Sequence, residues 1–171
     1  CILAAPHQIL PRGGCPLDSY TDATYGDRIA GVYDHLYAAH DEHAVATLAE
    51  LAGGGPALEL GIGTGRIALP LRARGVPVHG IDASPLMIEQ LRAKPGGDDI
   101  PITMGDFAQV AVDGMFSLIY VVFNTFFALL TQDKQVECFA NVARHLSRGG
   151  VFALEVFVPD MTRYRARQNM Q

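Results

Sequence analysis

The chain has 171 residues, enough for one domain with a sizeable core. With 49% hydrophobic and 18% charged residues it reads as a compact globule, which excludes a disordered or fibrous chain. A net charge of -5 argues against a nucleic-acid partner, because a phosphate backbone calls for a basic face.

No apolar run reaches the roughly 18 residues of a membrane span. The longest, 115–130, is broken by Ser117, Asn124 and Thr125. No basic start leads into an apolar stretch, so no secretory signal is expected. Cys1, Cys15 and Cys138 are scattered and lack the close pairing of a zinc site. They point to a reducing cytoplasm and no metal, with Cys138 as a buried helix residue.

A chain that opens on Cys1 is expected to be a fragment or a processed product. Residues 1–24, rich in Pro and Gly and without a period, are expected to form an irregular arm. From Tyr25 the pattern alternates. Ile29, Val32, Tyr33 and Leu36 predict a helix over 26–37. Val45, Leu48, Leu51 and Ala52 predict another over 40–52, stopped by Gly53-Gly54-Gly55-Pro56. A short strand over 57–60 runs into glycines. A helix over 65–74 follows, with Pro70 predicting a kink or a late start. A second strand over 76–81 ends at Asp82. Ser84-Pro85 then opens a helix that closes near Pro95-Gly96-Gly97. A third strand covers 100–104 and a fourth covers 116–123. Thr131 caps a helix with Val136, Phe139, Val142 and Leu146 on one side, closed by Gly149. The fifth strand covers 151–158. Short strands alternating with helices predict an α/β fold: a three-layer sandwich around a mostly parallel sheet of about five strands. Nearly continuous apolar strands fit a sheet covered on both faces. A ligand of such a sheet binds beyond its carboxyl edge.

Each strand ends in something chemically pointed. The first gives Glu59-Leu60-Gly61-Ile62-Gly63-Thr64-Gly65-Arg66. Glycines there let the backbone pass close to a ligand at a helix N-terminus. Counted from Gly61, a dinucleotide fingerprint would want a small residue where Arg66 stands; counted from Gly63, Ala68 satisfies it. Glu59 tilts the choice, because a carboxylate opposes a pyrophosphate and suits a ligand with a cationic amino group. A plain tight turn is the simpler alternative. Asp82, about 20 residues beyond the turn, is placed to reach two ribose hydroxyls; capping the next helix is the lesser alternative. Asp106 can accept from an adenine amino group while Phe107 packs on the base, against the reading of a loop Asp and a core Phe. Met87 could cover the same base, although a methionine on a helix face is commonly core.

Taken in order, the acidic Gly-x-Gly-x-Gly after strand one, Asp82 after strand two and Asp106 after strand three resemble the class I, Rossmann-like, S-adenosylmethionine-dependent methyltransferase family. The segment 116–130 with Asn124, and Leu146-Ser147-Arg148-Gly149-Gly150-Val151, are similar to that family's later motifs. The resemblance covers 25–159, the expected domain. It implies that Glu59, Gly61, Ile62 and Gly63 hold the methionine part of the cofactor and that Asp82 and Ala83 hold the ribose. Asp106, Phe107 and Met87 would surround the adenine, and Val122-Phe123-Asn124 would pass near the sulfonium. Tyr33, Tyr37 and Asn124 would face the acceptor. The family usually continues into a final hairpin. Residues 160–171 are too few for it, which leaves a truncated segment and a sheet edge that a second copy of the chain could cover.

The implied activity is methyl transfer from S-adenosylmethionine to a small-molecule acceptor, as in bacterial small-molecule or secondary metabolism, with S-adenosylhomocysteine as product. A non-catalytic cofactor-binding fragment is one alternative, and an NAD(P)-dependent oxidoreductase is another. In-line displacement needs a dry, aligned pocket more than acid groups. Phe123 and Phe126 could wall such a pocket, whereas Phe127 and Leu129 read as core. No catalytic base is assigned. His35, His40 and His43 read as surface residues, His145 as a helix terminator and His79 as a strand residue.

Overall fold

A computed structural model describes residues 21, 23–37, 41–109 and 112–160. Most of the expected arm (1–20 and 22), the loop residue His40 and residues 161–171 lie outside the described residues. In chain order the elements are α1 (Thr24–Leu36), α2 (Glu42–Ala52), β1 (Ala57–Leu60), α3 (Ala68–Ala73), β2 (Val78–Asp82) and α4 (Pro85–Arg92). There follow β3 (Ile102–Met104), β4 (Phe116–Val121), α5 (Gln132–His145) and β5 (Leu146–Leu154). Short 3-10 turns cover Phe107–Gln109 and Thr125–Ala128. The strands form one parallel sheet in the order β3-β2-β1-β4-β5.

Period-2 alternation divides each strand between two cores. Ala57 of β1 and Leu118 and Tyr120 of β4 face α2, α3 and α4, where Val45, Leu48, Leu71 and Leu91 are buried. Leu58, Leu60, Ile119 and Val121 face α5 and the two 3-10 turns, where Cys138, Val142, Phe107 and Phe126 are buried. The three-layer sandwich expected from the sequence is thus observed. The chain leaves β3 at one edge and returns to β4 beside β1. The reversal of strand order therefore falls between β1 and β4, which is where a cleft opens in folds of this kind.

Local chemistry sets the element ends. Ser84 caps α4, its Oγ accepting from Met87 N–H at 3.2 Å, with Pro85 in the first turn. Thr131 caps α5 in the same way through Lys134 N–H. Pro70 imposes the late start: α3 begins at Ala68, so the missing N–H falls among the first four, which have no partner within a helix.

Three expectations need correction. α5 does not end at Gly149; it ends at His145, and β5 begins at the next residue. The register passes from Phe116 opposite Leu146 to Leu118 opposite Val151, so residues 147–150 form a bulge. Gly149, at φ +80°, supplies the left-handed residue the bulge needs, not a helix cap. On α5, Cys138 and Val142 are buried, whereas Val136 is 60% exposed; Phe139 is half exposed and meets the rings of Phe126 and Phe152 edge-on. On α1, Val32 and Leu36 face solvent and Ala30 is its one buried residue. Among the described residues, no helix is long and apolar enough to cross a membrane.

The register also pairs Glu59 with Tyr120 across β1 and β4. Both point to the α3 side, both are fully buried, and the Tyr120 hydroxyl donates to Glu59 Oε2 at 2.9 Å. Burial pushes the Glu59 carboxyl from its ordinary 4.5 up to about 8, although the bond from Tyr120 opposes the shift. Between those values the folded chain keeps a proton that the unfolded chain has released. Stability should therefore fall as pH rises from about 5 to about 8 and level off above. Glu59→Gln, which keeps an acceptor for Tyr120, should flatten that fall in urea unfolding midpoints taken across the window. A residual slope of the same sign is expected from Asp82, whose carboxyl is also raised by burial. An unchanged slope in Glu59→Gln would rule out this origin. A second expectation concerns Gly80, next to Glu59 on β2. A Cβ there would lie 2.4 Å from Ile62 Cδ1, so Gly80→Ala should cost about 1–3 kcal/mol in chemical denaturation.

Candidate active site

A cavity of about 490 Å³ opens at the carboxyl ends of β1, β2, β3 and β4. Its floor is the glycine turn. Gly61 takes φ +75°, and a Cβ on it would strike Thr125 Cγ2 at 2.5 Å, so both backbone shape and space require glycine. The turn is bound to the end of β2: Gly61 N–H and Ile62 N–H both donate to Ile81 O, and Gly63 N–H donates to Asp82 Oδ2 at 2.7 Å. The other oxygen of Asp82 accepts from Ser84 N–H at 2.8 Å. One carboxylate therefore holds both the turn and the start of α4. Burial still leaves that carboxyl above its ordinary range, despite backbone donors from Ser84, Gly63 and Ala83.

The structure gathers most of the sequence-predicted residues around this cavity. Gly61, Gly63, Asp82, Ala83, Met87, Asp106, Phe107, Tyr33, Tyr37 and Asn124 line it. Asp106 stands at the end of β3, with Oδ1 held by Ala108 N–H at 2.9 Å and Oδ2 by Lys134 Nζ at 2.8 Å. Met87 and Phe107 are buried, so each serves the core and the cavity wall together.

Three of the predicted residues lie elsewhere. Glu59 is below the turn, bonded to Tyr120, because strand alternation turns it toward α3. Ile62 is buried and packs over Gly80. Val122 lines a second cavity of about 740 Å³ on the far side of Phe123, together with Arg66, Leu48 and Leu154. Phe127, expected in the core, is 50% exposed and stands on the cavity wall. Leu129 is buried as expected, and it also lines the cavity.

Tyr33 and Tyr37 place α1 over the cavity as its roof, but sequence reasoning missed other lining residues. Tyr25 and Gly26 of α1 join the lining, as do Ser84, Thr125 and Leu130. Gly26 carried a signal. A Cβ there would lie 2.6 Å from Ser84 Cβ, and with Ala30 one turn on it forms a small-residue stripe that lets α1 lie against α4. The roof is fastened mainly by polar contacts. Ser84 Oγ donates to Asp27 at 2.6 Å, Thr64 Oγ1 donates to Asp34 at 2.6 Å, and Lys94 Nζ reaches Asp34 at 2.7 Å. Burial works against the charge on Asp34, yet Lys94 and Thr64 hold its carboxyl below the ordinary range. At the end of β4, Phe123 and Asn124 both adopt positive φ, at 57° and 63°. Such strain in non-glycine residues concentrates at functional sites. The Tyr37 ring meets Phe123 edge-on at 4.8 Å, and the Arg66 guanidinium covers Phe123 at 4.5 Å.

None of the described residues lining the cavity is a histidine, lysine or arginine. His79 bonds Thr103 on the neighbouring strand, and His145 bonds Asn141 O at the end of α5. His43 lines the second cavity.

Comparison with known proteins agrees with this geometry. The profile of a family described as "Methyltransferase domain" matches residues 57–150, more than half of the chain. The cypemycin N-terminal methyltransferase of a Streptomyces species is 32% identical over 102 residues, covering 60% of this chain and 42% of that protein. The structure of the CcbJ methyltransferase from Streptomyces caelestis superposes with a TM-score of 0.71 at 38% identity, covering 79% of this chain and 58% of that one. The glycopeptide N-methyltransferase MtfA, solved in complex with S-adenosylmethionine, gives 0.59 at 25% identity, over 67% of this chain and 51% of MtfA. The chain thus spans about half the length of these relatives. With the ordered glycine turn, the two carboxylates beyond it and the parallel sheet beneath them, this chain belongs to the methyltransferase-domain family of class I fold.

Proposed function

We propose that the chain forms the S-adenosylmethionine-binding core of an enzyme that methylates a small molecule, with an amine nitrogen as acceptor. One observation carries the reading: Asp82 and Asp106 face a single cavity whose floor is the glycine turn. The residues present fit that cofactor. Both carboxylates line the cavity, where Asp82 suits the hydroxyls of a ribose and Asp106 the amino group of a base, since carboxylate oxygens accept from such donors. Met87 and Phe107 supply apolar surface beside them. A volume of about 490 Å³ lies within the usual range for small-molecule sites.

When bound, the cofactor supplies a methyl group on a positively charged sulfur. The chain's own part is alignment and exclusion of water. Tyr25, Tyr33 and Tyr37 from α1, with Phe123 and Phe127 from the β4 end, present ring surface to the cavity and keep it weakly polar. A neutral amine needs no base at the moment of transfer, which accords with the lack of a histidine in the described lining. One relative is named an N-methyltransferase and another an N-terminal methyltransferase, which supports nitrogen as the acceptor atom.

Calorimetry with S-adenosylhomocysteine and with NADH tests the reading. S-adenosylhomocysteine should bind and NADH should not. Asp82→Ala should weaken S-adenosylhomocysteine at least about tenfold, since hydrogen bonds to a charged group are worth roughly 1.5–3 kcal/mol. Preference for NADH, or unaltered binding by a folded Asp82→Ala variant, would overturn the assignment.

A further inference from the structure

The carboxyl edge of the sheet lays out its chemistry in strand order. Asp106 stands after β3, Asp82 at the end of β2, the glycine turn after β1 and Phe123 after β4. Beyond Phe123, at the end of β5, lies the second cavity of about 740 Å³. Of the described residues lining the two cavities, Phe123 alone belongs to both. Its backbone is pinned to the chain just past β5. Glu155 N–H donates to Val121 O at 2.9 Å, Asn124 N–H donates to Glu155 O at 3.2 Å, and Phe123 N–H donates to Glu155 Oε2 at 3.2 Å. A φ of +57° departs from strand geometry, so the Phe123 side chain is not bound by the alternation of β4. The ring meets Tyr37 edge-on at 4.8 Å, and the Arg66 guanidinium covers it at 4.5 Å. On the far side the wall is largely apolar, with Leu48 and Ile67 buried and Ala44 and Ala153 half-buried.

We infer that Phe123 is a specificity-determining residue: its ring partitions the two cavities, restricts the acceptor to compact amines and shuts out an amine whose extended apolar arm the second cavity would hold. The inference rests on the proposed reading of Asp82 and Asp106 as nucleoside partners. That reading sets the cofactor's sulfur over the glycine turn, between β2 and β4, and leaves the β4 end as the next stop for an acceptor. Neighbouring strands lie about 4.8 Å apart, so the second cavity begins about one strand spacing past the ring. An arm of a few methylene groups spans that distance, and its apolar surface would leave water for Leu48 and Ile67. A phenyl ring fills the passage, whereas a methyl group at the same position leaves it open.

The experiment uses the full chain and two analogues of S-adenosylhomocysteine in which nitrogen replaces sulfur and carries either a methyl or an n-hexyl arm. The arm leaves along the path by which the methyl group would be transferred. Affinities are measured by calorimetry, and the readout is the ratio of the two dissociation constants. The wild-type chain should prefer the methyl arm. Phe123→Ala should shift the ratio toward the hexyl arm by about tenfold or more, the scale of about two buried methylene groups. Phe123→Leu, which keeps more of the packing, serves if the alanine variant does not fold and should shift the ratio in the same direction. Adding Ala44→Phe fills the second cavity from α2 and should cancel the gain. A merely structural role for Phe123 would weaken both probes alike. An unmoved ratio, a wild-type chain indifferent to arm length, or a gain that survives Ala44→Phe overturns the proposal. If the wild-type chain binds neither S-adenosylhomocysteine nor the methyl-arm analogue, the cofactor reading itself fails and the proposal falls with it. If both bind and only the ratio stays fixed, the role of Phe123 alone is lost.

Discussion

The site depends on one half-buried carboxylate. Asp82 ends β2, and its two oxygens hold Gly63 N–H and Ser84 N–H. That pair of bonds joins the end of one strand to the turn of its neighbour and to the start of the next helix. It is possible only because β1 and β2 run parallel and in a register that brings Leu60 opposite Ile81. Parallel strands end on the same side, so their loops meet; an antiparallel pair would have sent the turn and the carboxylate to opposite edges. The bonds also meet a cost. A carboxylate drawn partly out of water is expensive unless donors surround it, and the backbone N–H groups of a glycine turn are donors that no side chain obstructs. The glycines and Asp82 are thus a single arrangement, each tolerable because of the other.

The sheet and its helices were legible because their signals are local. Ser84-Pro85 and Thr131 announce helix starts through bonds to residues three positions on, and Pro70 dictates where α3 can begin. The apolar strands declare a sheet covered on both faces. What could not be read was direction across space. Glu59 looks like a ligand group because it precedes the glycines. Its side of β1 is decided by alternation from Ala57, and that side is the α3 face, where Tyr120 meets it. Gly149 has the right chemistry for a left-handed position, but the same chemistry serves a bulge as well as a helix end. Phe127 reads as core by composition and stands on the cavity wall, because a short 3-10 turn rotates it away from Phe126.

The roof helix shows a different limit. Its apolar residues recur at helical spacing, and that pattern ordinarily marks a face against a core. In the structure Val32 and Leu36 are exposed and α1 rests on α4 through Gly26 and Ala30. Asp27 and Asp34, which read as plain surface charges, make the attachments instead, to Ser84, Thr64 and Lys94. Thr64 lies in the glycine turn, and Ser84 and Lys94 flank the two ends of α4, so the roof is fastened beside the same elements that Asp82 brings together. An element held by a few polar bonds opens at lower cost than one held by an apolar face. That suits a cover over a cavity that a ligand must enter and leave.

Arg66 draws these threads together. In the sequence it stands where a dinucleotide fingerprint counted from Gly61 would want a small residue, although the count from Gly63 meets Ala68 instead. In the structure that side chain leaves the turn on the side away from the cavity floor. It covers the Phe123 ring at 4.5 Å and lies close enough to Tyr33 of the roof for its charge to oppose the rise that burial imposes on that hydroxyl. It also stands close enough to Glu59 to oppose the rise in that carboxyl's proton affinity. A small residue at this position would permit the turn but would leave Phe123 and Tyr33 without a common support. The departure from one fingerprint is therefore what connects the turn, the strained end of β4 and the roof, and it places a charged, ring-stacking group at the partition between the two cavities.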